Sequence, residues 1–130
     1  MSKIIITGAS GFIGRHLHSH LIASRADVIA VSRKHLEGLK QVTDYAHSPD
    51  GDVLFHLGEE PDRALVNKAG IAYLEASVRV VGILAKRGFP RLIYISSGAV
   101  YGDERLQPSK PGDTVIANDI YNRAKLINEN

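Results

Sequence analysis

Three evenly spaced glycines, Gly8, Gly11 and Gly14, separate an apolar run from an amphipathic stretch near the start of the chain. The run Ile4-Ile5-Ile6 is β-branched at every residue, the pattern of a strand buried on both faces. After the glycines, Ile13, Leu17 and Leu21 recur at helical spacing and mark one buried face up to about Ala23. Glycine at such a strand-to-helix junction has two uses. Either the turn needs backbone freedom alone, or an anion must approach the main chain where the first N–H groups of a helix lack intrahelical partners. On the second reading one glycine makes the tight turn, the next admits a pyrophosphate and the third lets helix and strand pack closely. The order G-x-x-G-x-x-G is a variant of the dinucleotide fingerprint. Its place at the first βα junction favours that reading over a merely structural turn.

The pattern continues along the chain. Val28-Ile29-Ala30-Val31 and Asp52-Val53-Leu54-Phe55-His56-Leu57 read as strands, as does Leu92-Ile93-Tyr94-Ile95. A weak strand is expected around Lys40 to Val42, after a short helix over Leu36 to Leu39. A long helix is expected from about Asp62 to Arg87, stopped by Gly88 and Pro90, and a last one from about Asn118 to the chain end. Uniformly apolar strands alternating with helices predict an α/β fold: a Rossmann-like, doubly wound parallel sheet with helices on both faces.

Such a fold asks which dinucleotide it takes. A carboxylate at the end of the second strand would bond a ribose 2′-hydroxyl and select NAD. Ser32-Arg33 stand there instead, and Asp27 lies at the other end of the strand. A hydroxyl and a guanidinium suit a 2′-phosphate, so NADP is favoured over NAD, against an Arg lying in solvent. Composition narrows the rest. The 130 residues hold no cysteine, which excludes disulfides, thiolate nucleophiles and Cys-based metal sites and fits a reducing compartment. A net charge of +2 gives no ground for a nucleic-acid partner. No apolar run reaches the roughly 18 residues of a membrane helix, so a cytoplasmic protein without a membrane partner is expected.

Four segments together resemble the extended short-chain dehydrogenase/reductase family, the nucleotide-sugar epimerases, dehydratases and reductases. Thr7 to Gly14, reading TGASGFIG, looks like its glycine motif. Asp52 to Gly58, DVLFHLG, looks like its fourth strand, whose end lies along the cofactor. Tyr94 to Gly102, YISSGAVYG, looks like its fifth strand with the catalytic Ser or Thr, and Tyr121-Asn122-Arg123-Ala124-Lys125 matches its Tyr-x-x-x-Lys. The resemblance implies cofactor contacts at Gly8, Ser10, Gly11, Phe12, Ile13, Gly14, Ser32, Arg33, Leu57, Gly58, Tyr121 and Lys125. It also implies an Asp44 that reaches the adenine, and catalysis by Ser97, Tyr121 and Lys125. It covers the chain but only the N-terminal part of the family's usual length. The expectation is therefore one NAD(P)-binding domain over residues 1–130, without the part that binds the nucleotide-sugar substrate, and self-association as a homodimer through an incompletely covered last helix.

The chemistry of those residues supports the implied roles. Tyr121 and Lys125 are i and i+4 and share a helix face. A phenol is a poor base at neutral pH, and a nearby ammonium favours the phenolate. Tyr121 could then take the proton of a sugar hydroxyl while hydride leaves the same carbon for the nicotinamide, and Ser97 could hold the reacting oxygen. Two departures limit this. Gly98-Ala99 stand where the family's dehydratases place Asp-Glu after the catalytic hydroxyl, which disfavours dehydration. Tyr73 occupies the position of a relay asparagine, while Asn67 falls two turns early.

Other features invite simpler readings. His16, His18 and His20 read as exposed helix residues rather than a metal site, and His56 as a hydrogen-bonded core residue. Glu59 fits either a place near a cofactor ribose or a solvated loop. A non-catalytic NADP(H)-binding sensor stays open as the alternative to an enzyme, as does a flavodoxin-like module.

Overall fold

The computed structural model describes residues 1–103 and 107–130. Among the described residues five strands and four helices follow in the order β1 (Lys3–Thr7), α1 (Phe12–Ala23), β2 (Asp27–Ser32), β3 (Lys40–Gln41), β4 (Val53–His56), α2 (Arg63–Ala69), α3 (Ile71–Lys86), β5 (Arg91–Tyr94) and α4 (Ile120–Glu129). Single 3-10 turns cover Tyr45–His47 and Gly98–Tyr101. All strand pairs are parallel, in the order β3-β2-β1-β4-β5. This is the Rossmann-like arrangement the sequence predicts. The chain divides into two units, Met1–Glu59 with Val80–Ile95 and Glu60–Arg79 with Ser96–Asn130.

The first unit holds the sheet. Because side chains alternate across a strand, neighbouring residues of β1 serve opposite layers. Ile5, fully buried, joins Val31, Leu54 and Leu84 with Val80 of α3 beside them. Ile6, also fully buried, joins Ala9 and Ala30 with Leu17 and Leu21 of α1. Each such isoleucine contributes about 1.5–3 kcal/mol of burial, far above any strand propensity difference, so packing on both faces decides the strand. The strand order reverses between β1 and β4. In sheets of this kind that point opens a ligand crevice at the carboxyl ends of the strands.

In the second unit Asp62 caps α2 by accepting the N–H groups of Ala64 and Leu65. Ser77 of α3 accepts a hydrogen bond from the Asn128 amide of α4 at 2.9 Å. Ser96 hydrogen-bonds Glu129 near the end of α4.

Two local expectations are corrected. The long helix over 62–87 is two helices, because Gly70 adopts φ +68° and ends α2 before α3 begins. Leu36 to Leu39 form no helix. They make one turn, closed by Leu39 N–H on the Leu36 carbonyl, with Gly38 at φ +79°. A single turn cannot recover the cost of helix nucleation, and a left-handed glycine stops it from growing.

Candidate functional site

The glycine corner follows β1 in the first unit. Gly8 has φ +68°, and a Cβ there would lie 2.6 Å from the Leu57 carbonyl oxygen and 2.8 Å from the Gly58 Cα. Only glycine satisfies both the torsion and the contact. At Gly14 a Cβ would overlap the Gly8 carbonyl, so close packing of α1 on the strand end needs that glycine as well. Gly11 is the N-cap of α1. It brings no side chain to cap the first turn, which also contains no acidic residue. The first turn of α1 thus presents main-chain N–H groups and a positive dipole end with no side-chain cap and no carboxylate in that turn. Phe12 and Ile13 in that first turn are 73% and 55% exposed.

The carboxyl end of β4 is tied to this corner by Thr7. Its Oγ1 accepts the N–H groups of Leu57 and Gly58, both at 3.1 Å, and lies 2.7 Å from Nδ1 of the buried His56. Gly58 lies against the Tyr45 ring, which a Cβ there would overlap. The Arg33 guanidinium sits over the same ring, 5.3 Å from the Tyr45 centroid. Ser32 is fully buried; its hydroxyl donates to Ser10 Oγ at 3.3 Å and accepts Lys34 N–H. Of the Ser32-Arg33 pair only Arg33 is exposed. Asp44 accepts the Ala46 N–H and so caps the 3-10 turn that carries Tyr45. Glu59, where a solvated loop was one expectation, accepts the Tyr94 hydroxyl at 2.6 Å.

The three candidate catalytic residues lie in the second unit. Ser97 caps the 3-10 turn that follows it, its Oγ accepting Ala99 N–H at 3.2 Å. Tyr121 and Lys125 share a face of α4, with Nζ 5.5 Å from the phenol ring centroid. Lys125 is only 7% exposed. A buried ammonium must be compensated, and the ring face of Tyr121 is one source of that compensation. Asn122, fully buried, donates its amide to the Ala99 carbonyl at 3.1 Å and so connects the Ser97 turn to α4.

The N-terminus of α4 is held from α2. Asp119 Oδ1 accepts Asn122 N–H, while its Oδ2 accepts Arg63 Nε at 2.8 Å and Asn67 Nδ2 at 3.0 Å. Asn67 Oδ1 accepts the main-chain N–H of Tyr121 at 2.9 Å. Burial raises the Asp119 pKa, but the Asn122 N–H, the Asn67 amide and Arg63 outweigh it and leave the carboxyl below its ordinary value. Arg63 is raised in turn, first by its bond to Asp103 and then by that to Asp119.

Residues 4–130 match the NAD dependent epimerase/dehydratase family. The chain belongs to that family. Among family relatives, a dTDP-4-dehydrorhamnose reductase of Mycobacterium tuberculosis is 27% identical over 98% of this chain and 44% of its own length. The structure of MoeE5 in complex with UDP-glucose and NAD is 27% identical with a TM-score of 0.78, matching 98% of this chain and 46% of that one. A UDP-galactose 4-epimerase structure is 25% identical with a TM-score of 0.81, over 98% and 49% respectively. The chain thus spans less than half the length of these relatives. Among the described residues no helix is long and apolar enough to cross a membrane.

Of the candidate residues read from the sequence, the structure gathers Gly8, Gly11, Gly14, Leu57 and Gly58 at one corner, and Tyr121 and Lys125 on one helix face. Sequence reasoning missed the Thr7 clamp and the Arg63–Asp119–Asn67 set. Asp119 before apolar Ile120 was a legible N-cap signal. Nothing in the sequence pairs Asn67 with residue 121.

Proposed function

We propose that this chain carries the cofactor-binding corner and the Tyr-x-x-x-Lys pair of an oxidoreductase or epimerase acting on a nucleotide sugar. The observation that carries the reading is the glycine corner. Gly8 and Gly14 leave no room for a side chain, and the first turn of α1 is neither capped by a side chain nor occupied by an acidic one. That fits a pyrophosphate, bound through main-chain N–H groups, better than it fits a plain turn.

When bound, a nicotinamide dinucleotide would supply the hydride acceptor and donor. The chain's own residues would do the rest. Gly11 to Gly14 hold the pyrophosphate. Lys125 stabilises the Tyr121 phenolate, which accepts the proton of the substrate hydroxyl and becomes the neutral phenol as hydride leaves the same carbon. Ser97 donates to the reacting oxygen and so holds it in line. Gly98-Ala99 after Ser97 offer no second acid/base pair, which favours oxidation, reduction or epimerisation over loss of water. Sugar nucleotides are the proposed substrate class because the relatives named above include a dTDP-sugar enzyme and a UDP-glucose complex. A preference for NADP rests on Arg33, exposed at the end of β2.

Parallel titrations with NADH and NADPH test the binding reading, and Tyr121→Phe tests the chemistry. The variant should keep dinucleotide affinity and lose any nucleotide-sugar-dependent change in nicotinamide absorbance. Absence of binding of either dinucleotide would overturn the reading. Unaltered turnover in Tyr121→Phe would remove the role given to Tyr121.

A further inference from the structure

We propose that Asn67, with Arg63 acting through Asp119, is a positioning residue for Tyr121, setting from α2 the first turn of the helix that carries it. The inference rests on the reading of Tyr121 as the acid/base group.

An ordinary N-cap needs one side chain. Asp119 already performs that task, with its Oδ1 on the N–H of Asn122 at the third helical position. The N–H one residue earlier belongs to Tyr121 itself, and a different helix satisfies it. Asn67 reaches from α2 and places its carbonyl oxygen 2.9 Å from that nitrogen. The other end of the same amide donates to Asp119 Oδ2 at 3.0 Å.

The two ends cannot exchange. Asp119 offers only acceptors when ionised and a main-chain N–H only donates, so a single amide orientation serves both. Position 67 therefore needs a donor and an acceptor on one short planar group. Alanine supplies neither, and an ionised aspartate supplies only acceptors and sets a second negative charge against Asp119. Arg63 makes the junction firmer by bonding Asp119 and Asp103 together, at 2.8 and 2.7 Å.

What this fixes is the rotation of α4 about its axis at the turn where Tyr121 begins. From that turn Tyr121 and Lys125 follow one above the other, and buried Asn122 ties the same turn to the carbonyl of Ala99, two residues beyond Ser97. Loss of the Asn67 bond should leave Asp119 capping Asn122 but free the Tyr121 end of the turn to move.

The test compares the whole chain with Asn67→Ala and Asn67→Asp by NMR. It reads solvent exchange of the Tyr121 and Asn122 N–H groups and the Tyr121 ring signal, assigned with Tyr121→Phe. In Asn67→Ala the Tyr121 N–H should exchange about tenfold faster, the factor expected for one hydrogen bond, while Asn122 changes little and the ring signal moves. In Asn67→Asp the ionised carboxylate can still accept the Tyr121 N–H but loses the donor to Asp119 and repels it. The Tyr121 ring signal should therefore move at neutral pH and return toward wild type on acidification. A protonated carboxyl at position 67 again offers one donor and one acceptor. The charged groups facing it are Asp119, Arg63 and Asp103; Asp119 keeps its bonds from Asn122 N–H and Arg63 in the variant, which favours the proton on residue 67.

A Tyr121 exchange rate and ring signal unchanged in Asn67→Ala would overturn the inference, even if the melting temperature fell. So would an Asn67→Asp variant with no pH-dependent recovery. Because Asn67→Asp is compared with wild type at each pH, which cancels the pH dependence of intrinsic amide exchange, the outcome does not depend on the alanine variant folding well. Failure of the underlying reading would look different: no dinucleotide binding by the wild type, with the exchange results intact.

Discussion

Thr7 Oγ1 and His56 Nδ1 lie 2.7 Å apart, and the two N–H groups that Thr7 also receives determine which of them donates. A hydroxyl has two lone pairs and one hydrogen. Leu57 and Gly58 N–H groups occupy the lone pairs, so the hydrogen goes to His56. Nδ1 is then an acceptor, and the ring proton sits on Nε2. The sequence reading of His56 as a hydrogen-bonded core residue agrees with this. Nitrogen-15 NMR should show His56 Nδ1 as an unprotonated, pyridine-type nitrogen; a protonated Nδ1 would contradict the arrangement.

Removing the Thr7 hydroxyl should be costly. Thr7→Val leaves two main-chain N–H groups and a ring nitrogen without their partner in a part-buried place. An expected loss of roughly 2–4 kcal/mol should appear in urea unfolding, together with weaker dinucleotide binding. Thr7→Ser, which keeps the oxygen, should lose about 1 kcal/mol.

Gly8→Ala and Gly14→Ala should both damage the corner, by different routes. The first forces a side chain into φ +68° and against the Leu57 carbonyl, and the second drives a methyl into the Gly8 carbonyl. Each should cost about 1–3 kcal/mol or more in unfolding experiments and reduce dinucleotide affinity at least tenfold. Wild-type affinity in either variant would show that the corner does not hold the pyrophosphate.

Arg33→Ala should weaken NADPH about tenfold, as loss of a charge-assisted pair implies, and leave NADH unchanged. Calorimetric titration with both cofactors decides it. Equal losses for the two would mean that Arg33 serves the Tyr45 ring face rather than a 2′-phosphate.

Asp119 should make the second unit sensitive to acid. Its carboxyl titrates below the ordinary 3.8 in the folded chain, so folding favours the ionised form. The stability it contributes is fully present above 3.8 and is lost as pH falls through the lower folded value. The stability difference between wild type and Asp119→Asn, followed by urea unfolding, should be constant above pH 3.8 and shrink below it.

The glycine corner was legible because its reasons are local. A torsion open to glycine alone, a helix needing close approach and an apolar strand before it all lie within residues 4 to 21. Arg33 was legible for the same reason, as a charge at a strand end. The place of Ser32 at the strand end was legible, but its bonds to Ser10 Oγ and Lys34 N–H were not. The long helix expected over 62–87 failed at Gly70, because apolar periodicity survives a break that a single positive φ creates.

Short-range order was thus written in the chain itself. Periodicity, β-branching and glycine placement act over a few bonds and sufficed for the alternating strands and helices and for the family's motifs. Pairings across long separations were not written there. Thr7 with Gly58, Glu59 with Tyr94 and Asn67 with Tyr121 join residues 35 to 54 positions apart. No local preference encodes such partners; they meet because packing brings particular strand ends and helix turns together, and an amide or hydroxyl then bonds whatever that packing sets within reach.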